Sequence, residues 1–360
     1  MCEDRPCGIL AHMKLIYIAQ EAWEETYLKE KLAAAGWETE FRTASDAFTG
    51  DPEAEALSVF ITTKLGAAEM DLFPKLKLIT TRSTGFDHID LAEAAKRGIT
   101  VSTVPSYGIN TVAEFAFALI LALSRRITDA HNRITETGSF SQEGLRGFDL
   151  AGKTIGVVGT GNIGVHAIRI AKGFAMNVLA FDAFPKTGLD QELGFMYVPL
   201  TELLNRSDIV TLHVPYNEHT HHLVNKNNIH ECKKGAYLIN TARGAVVETE
   251  ALVQALQDGT LAGAGLDVLE EEGDMQDEAR LFSNPHPREE ELKTVLENHY
   301  LIEHPRVIVT AHIAFDSQEA VERILDTTVE NLVSFAQGEP KNAVAPQVAL
   351  AGDFSRKQPI

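Results

Sequence analysis

The chain has 360 residues, 44% of them hydrophobic and 23% charged, which excludes global disorder and favours two domains over one core. Its formal net charge is −19. A surface this acidic repels phosphate backbones and anionic lipid heads, so no nucleic-acid or membrane partner is expected, and an anionic substrate would need a local cation.

The first third alternates strand-like and helix-like segments. Residues 14–19 (KLIYIA) read as a strand, with residues 1–12 as an extension before it. Residues 24–36 read as a helix ending at Gly36, which can take the left-handed C-cap conformation. Residues 38–43, 58–63 and 76–83 read as strands. A short helix starts at Asp90, a good N-cap residue, and stops at Gly98, before a strand at 99–105. This alternation predicts a parallel sheet with helices on both faces. Residues 111–126 form a long apolar helix, expected to be buried between domains. Its apolar run FAFALILAL is shorter than the roughly 20 residues that span a bilayer.

A second alternation begins at Gly152. Strands are expected at 153–159, 178–182, 208–215, 237–242, 263–268 and 307–315, and helices at 165–175, 200–207, 248–259 and 317–337. Residues 270–304 interrupt the rhythm and read as a loop-rich insertion with one short helix. No clear period follows residue 344.

Gly159, Gly161 and Gly164, with Asn162 and Ile163 between the last two, make a G-x-G-x-x-G that follows a strand and opens a helix. The first glycine allows the tight turn, the second a close approach of backbone to a pyrophosphate, and the third helix–strand packing. The helix N-terminus then offers free N–H groups to the phosphates. Asp182 ends the next strand, eighteen residues after Gly164. An acid there accepts hydrogen bonds from ribose hydroxyls and repels a 2′-phosphate, which points to NAD rather than NADP. A glycine-rich turn in an unrelated α/β protein is the competing reading, and it is weaker with strand, helix and acid all in place.

GKTIGVVGTGNIG, LINTARGAVVETEAL, LAGAGLDVLEEE and VTAHIAF occur in that order. Together they resemble the D-isomer-specific 2-hydroxyacid dehydrogenases over residues 14–344, and the D-lactate dehydrogenase branch most. The resemblance implies an α/β protein of two domains. A Rossmann NAD-binding domain, residues 110–311, is inserted into a flavodoxin-like substrate domain of residues 1–109 and 312–345, with a tail at 346–360. It also implies a homodimer and a small 2-keto or 2-hydroxy acid as substrate.

The same resemblance implies the site residues. Arg243 would hold the substrate, since a guanidinium can grip a carboxylate with two parallel hydrogen bonds and polarise the keto oxygen. His312 would be the acid/base, a task that histidine's titration near neutrality suits. Glu272, five residues after Asp267, would sit beside the histidine and favour the imidazolium, with Glu270 and Glu271 as alternatives one or two positions away. Gly273 stands where the family often has proline. Ser83, Thr84 and Gly85 match a loop whose backbone N–H groups bind the substrate carboxylate, and Tyr107 matches a substrate-contacting tyrosine. Pro215, Thr241 and Ala242 would line the cofactor cleft, and Asp267 would lie near the nicotinamide. D-lactate dehydrogenases usually have tyrosine at the position of Asp316.

Rival readings within the family are a glyoxylate/hydroxypyruvate reductase and a 3-phosphoglycerate dehydrogenase, the latter with Arg82 as the extra cation. Formate-type members are disfavoured by the Glu–His pair. A rival of another class is an NAD-sensing corepressor. The Asn217–His222 stretch and the acidic run at 270–277 lack metal-ligand spacing and read as solvated loops, so no metal is expected. Cys2, Cys7 and Cys232 form no metal or disulfide pattern, and the acidic start MCEDRPCGILAH does not read as a signal peptide. A reducing, cytoplasmic setting is expected.

Overall fold

β1 (Met13–Ile18) buries Leu15 and Tyr17 on one face and Ile16 and Ile18 on the other, the pattern of a strand covered on both sides. The strands β2 (Trp37–Arg42), β3 (Ala54–Val59), β4 (Leu78–Thr81) and β5 (Thr100–Ser102) join it in the order β2-β1-β3-β4-β5, all parallel. This is the flavodoxin-like order. The Ala22–Ala34 and Gln318–Ala336 helices bury Leu28, Leu32, Leu325 and Leu332 against the Leu15 face. The structure is a computed structural model that describes residues 13–271 and 289–344. Two compact units divide the chain: one runs up to Tyr107 and resumes at Gln318, and the other is Gly108–Ser317.

The second unit holds β6 (Thr154–Val158), β7 (Asn177–Phe181), β8 (Met196–Tyr197), β9 (Ile209–Leu212), β10 (Ala236–Asn240), β11 (Leu261–Leu266) and β12 (Val307–Val309). They form one parallel sheet in the order β12-β11-β10-β9-β6-β7-β8. That is the doubly wound Rossmann order with one strand added, and the strand order reverses between β6 and β9. The Ile109–Ser124 helix buries Ala113, Ala116, Phe117, Leu119 and Ile120 in this unit's core. Among the described residues no helix is long and apolar enough to cross a membrane.

Several elements differ from the sequence reading. β3 lies at Ala54–Val59, earlier than 58–63, because Ala56 and Leu57 pair between β1 and β4. Tertiary pairing overrides the β-branched bias of the ITT that follows. The long apolar helix stops at Ser124, Arg126 is left-handed at φ 51°, and a separate helix, Ile127–Thr137, begins. The insertion carries a 15-residue helix, Glu289–Glu303, longer than expected. Asp90 caps the Leu91–Lys96 helix as its sequence predicts, accepting a hydrogen bond from Glu93 N at 2.9 Å. Residues 1–12, Glu272, Gly273 and the 346–360 tail lie outside the described residues.

Candidate active site

In the second unit, Gly159 turns the chain after β6 at φ 93°, and a Cβ there would stand 2.5 Å from the His213 carbonyl oxygen. A Cβ on Gly164 would stand 1.9 Å from the Gly159 oxygen, so turn and helix approach as only glycine allows. A Cβ on Gly161 would meet nothing within 4 Å. The turn is thus closed on its protein side and open at Gly161, where the Asn162–Gly173 helix starts. Near the same edge, Thr241 Oγ1 is buried and makes no hydrogen bond among the described residues. An open helix N-terminus after β6 and an unsatisfied hydroxyl after β10, both at the carboxyl edge of this sheet, fit a dinucleotide.

Asp182 follows β7 with both oxygens engaged. Oδ2 accepts from Thr160 N at 2.6 Å and Thr160 Oγ1 at 2.8 Å, and Oδ1 accepts from Phe184 N at 2.8 Å. Burial pushes this carboxyl up, but the hydrogen bonds from Phe184 and Thr160 outweigh it and hold it below the usual range. The carboxylate at the end of β7 therefore keeps its charge. Thr160, inside the glycine turn, is the partner of Asp182 that sequence reasoning missed. Its hydroxyl also lies 2.9 Å from Tyr197 Oη, in the two-residue strand β8 that no periodicity announces.

His213 is a second omission. It follows β9 under the Gly159 turn, with Nε2 3.0 Å from Thr211 Oγ1, and burial pushes its imidazole down to about 4. The sign follows from linkage. The folded state keeps the ring neutral while the unfolded chain protonates near 6.5, so this stabilisation is present above pH 6.5 and is lost as the pH falls to about 4. Denaturant titrations across that window are expected to show a loss of up to about 3 kcal/mol that His213→Gln removes. Identical pH profiles in both proteins would contradict this. Two residues on, the Pro215 carbonyl accepts from Thr220 Oγ1 at 2.6 Å.

Three segments follow β10, β11 and β12 at the carboxyl edge of the sheet. After β10, the Asn240 side chain closes the turn, accepting from Ala242 N at 3.0 Å and donating to the Arg243 carbonyl at 2.8 Å. Arg243 is half-buried, and its Nη1 donates to the Ala242 carbonyl at 2.8 Å. After β11 stands Asp267. Its carboxylate accepts from Thr310 Oγ1 at 2.6 Å, Ile313 N at 2.9 Å and Ala314 N at 2.8 Å, and its carbonyl accepts from His312 N at 2.8 Å. Burial pushes the Asp267 carboxyl up, while the hydrogen bonds and the nearby His312 pull the other way. After β12, His312 is held in the left-handed region at φ 55° by this clasp. Asp267 and His312 are thereby brought together. Of the three neighbouring glutamates, Glu270 is committed to His222 and Thr249, and Glu271 is exposed.

In the first unit, the Ser83–Gly85 loop follows β4. Ser83 Oγ donates to the Gly85 carbonyl at 2.6 Å, Thr84 Oγ1 donates to the Val104 carbonyl at 2.9 Å, and Val104 N donates to the Ser83 carbonyl at 3.0 Å. Tyr107 is half-buried, and its carbonyl accepts from Arg323 Nε at 2.8 Å. Arg82 is the cation that the rival phosphoglycerate reading would need. Its side chain is 2% exposed, donates to Tyr17 Oη at 2.6 Å and to the Ile18 carbonyl, and pairs with Glu24 at 2.5 Å. A guanidinium neutralised inside the core cannot serve a substrate phosphate, because freeing it would strand the buried Glu24 charge.

A family model described as the D-isomer specific 2-hydroxyacid dehydrogenase, NAD binding domain, matches residues 117–314. D-lactate dehydrogenase of Escherichia coli is 35% identical over 333 residues, covering 91% of this chain and 98% of its own length. A glyoxylate reductase of Korarchaeum cryptofilum is 38% identical over 300 residues, covering 82% and 84%. The crystal structure of D-lactate dehydrogenase from Aquifex aeolicus, complexed with NAD and lactic acid, superposes with a TM-score of 0.78 at 36% identity, covering 91% and 96%. The chain belongs to the D-isomer-specific 2-hydroxyacid dehydrogenase family. It is an NAD-dependent oxidoreductase acting on 2-hydroxy acids.

Proposed function

We propose that this enzyme interconverts a small 2-keto acid of the pyruvate type and its D-2-hydroxy acid. The observation that carries the reading is topological. Arg243, Asp267 and His312 follow three adjacent parallel strands on the carboxyl edge of the sheet that also bears the glycine turn, the edge where open α/β sheets bind ligands. Bound NADH supplies the hydride. Arg243 pairs with the substrate carboxylate and polarises the keto oxygen. His312, as imidazolium, gives its proton to that oxygen and, as neutral imidazole, takes it back in the reverse direction. Glu272 is assigned beside His312, and Ser83, Thr84, Gly85 and Tyr107 to the substrate, by family resemblance. The resemblance likewise supports a homodimer, and the cysteine pattern a reducing, cytoplasmic setting.

The pyruvate-type substrate is favoured by the extent of the match, since the Escherichia coli D-lactate dehydrogenase is covered over 98% of its length. A glyoxylate-type substrate is the second reading, favoured by glyoxylate reductases at 38% and 40% identity and by Asp316 in place of tyrosine. NADH oxidation with pyruvate, glyoxylate, hydroxypyruvate, phenylpyruvate and 2-ketoisocaproate decides between them. Pyruvate is expected to be preferred, with kcat/KM down roughly 100-fold in Arg243→Ala. Preference for glyoxylate or hydroxypyruvate would select the second reading. NADH binding without turnover on any acid would favour the corepressor.

A further inference from the structure

The Asn217–His222 loop reads as solvated, yet its last histidine is tied into the scaffold under Arg243. His222 is left-handed at φ 49°, a region that few non-glycine residues enter. Its Nε2–H donates to Glu270 Oε1 at 2.7 Å. Glu270 Oε2 accepts from Thr249 Oγ1 at 2.8 Å and Thr249 N at 3.3 Å. It thus serves the N-terminus of the Thr249–Gln257 helix, whose own cap residue, Glu248, makes no side-chain cap bond. The Glu270 carbonyl accepts from Asn298 Nδ2 at 2.7 Å.

The backbone of the same loop grips the Arg243 turn. His222 N donates to the Ala245 carbonyl at 2.8 Å, and Val224 N donates to the Val246 carbonyl at 3.1 Å. The turn's opposite side lies on the segment after β11. A Cβ on Gly244 would stand 2.0 Å from the Leu269 oxygen and 2.3 Å from Glu270 N. The turn from Arg243 to Val246 is therefore held between two segments, and the His222–Glu270 hydrogen bond joins those two directly.

We propose that His222 is a positioning residue for keto-acid reduction: acting through Glu270, it fixes the turn that carries Arg243 without touching the substrate. The proposal rests on the role given to Arg243 above. Removing the imidazole frees Glu270 from one of its two side-chain partners and lets the turn shift. Displacements of about 1 Å at a substrate-holding group cost up to roughly 100-fold in rate. The Gly159–Gly164 turn follows a different strand, and Thr241 and Ala242, assigned to the cofactor, lie on the β10 side of the Arg243 turn, where the Asn240 side chain anchors Ala242 N and the Arg243 carbonyl independently of His222, so NADH binding is not expected to follow.

The test compares the full-length wild type with His222→Ala, His222→Gln, Glu270→Ala and the double alanine variant. For each, the NADH dissociation constant, and KM and kcat for the best keto acid, are measured. His222→Ala is expected to lose at least roughly tenfold in kcat/KM, mainly through KM, with NADH affinity within about twofold of wild type. His222→Gln, whose amide can still donate to Glu270, is expected to recover most of the loss. The double variant is expected to be no worse than Glu270→Ala, since both ends serve one contact. Wild-type KM and kcat in His222→Ala would overturn the proposal, as would an equal loss of NADH affinity, which marks general disruption. If His222→Ala does not fold, His222→Asn, whose amide is too short to reach Glu270, takes its place against His222→Gln. If wild-type protein reduces no keto acid, the assignment of Arg243 fails first. Binding of oxamate, a non-reducible carboxylate, to the NADH complexes then tests the positioning role alone: equal affinity in wild type and His222→Ala overturns it.

Discussion

Replacing His312 by asparagine is expected to lower kcat for keto-acid reduction by roughly 10²–10⁴-fold while leaving NADH affinity near wild type. The choice of asparagine follows from the backbone. His312 stands at φ 55°, and asparagine is among the few non-glycine residues that enter this region at low cost. The Asp267 clasp uses the backbone N–H groups of residues 312–314 and the Thr310 hydroxyl, all of which the variant keeps. The fold and the loop should therefore survive, and what is lost is the group that moves the proton. Steady-state kinetics with a fluorescence titration of NADH separates these terms. Retained turnover within about tenfold of wild type would remove His312 from the acid/base role.

The glycine turn gives the second large effect, and it separates fold from binding at two neighbouring positions. Gly164→Ala is expected to abolish NADH binding and to lower the unfolding free energy by about 3 kcal/mol or more. Its new Cβ would meet the Gly159 oxygen at 1.9 Å and the Gly159 carbon at 3.0 Å, both backbone atoms that cannot rotate away. Gly161→Ala is expected to melt like wild type, because its Cβ meets nothing within 4 Å, yet to bind NADH at least roughly tenfold more weakly by occupying the open side of the cradle. Thermal melting and NADH titration of the two variants check both halves. Unchanged NADH affinity in Gly161→Ala would mean that the cradle does not take the pyrophosphate.

The contrast between these positions also marks what the sequence can convey. The turn from Gly159 to Gly164 was legible because its parts lie within a dozen residues of a strand and a helix, and each glycine has a distinct steric reason. The same holds for Asp90 as a cap and for the alternation that announces both sheets. Contacts made at long range were not legible. Arg82 reads as a free cation beside a substrate loop until Glu24, 58 residues earlier, is seen to neutralise it. His222 reads as part of a polar loop until Glu270, 48 residues later, accepts its hydrogen bond. Thr160 gains its role only when Asp182 and Tyr197 converge on it. Helix 127–137 was missed because only Arg126, in the left-handed region at φ 51°, separates it from the apolar helix, with no glycine or proline to mark the break, although Gly138 at φ 68° marks its end. The glutamate assigned to His312 could be narrowed only by exclusion, since Glu270 is engaged elsewhere.

The most direct measurement is the handedness of the product. The protein, supplied with NADH and pyruvate, or with hydroxypyruvate or 2-ketoisocaproate if one of these is the better substrate, is run to completion and the 2-hydroxy acid resolved on a chiral phase. The D-isomer alone is the expected product, formed in step with NADH oxidation. The L-isomer, a racemate, or no hydroxy acid from any of the three would contradict the account.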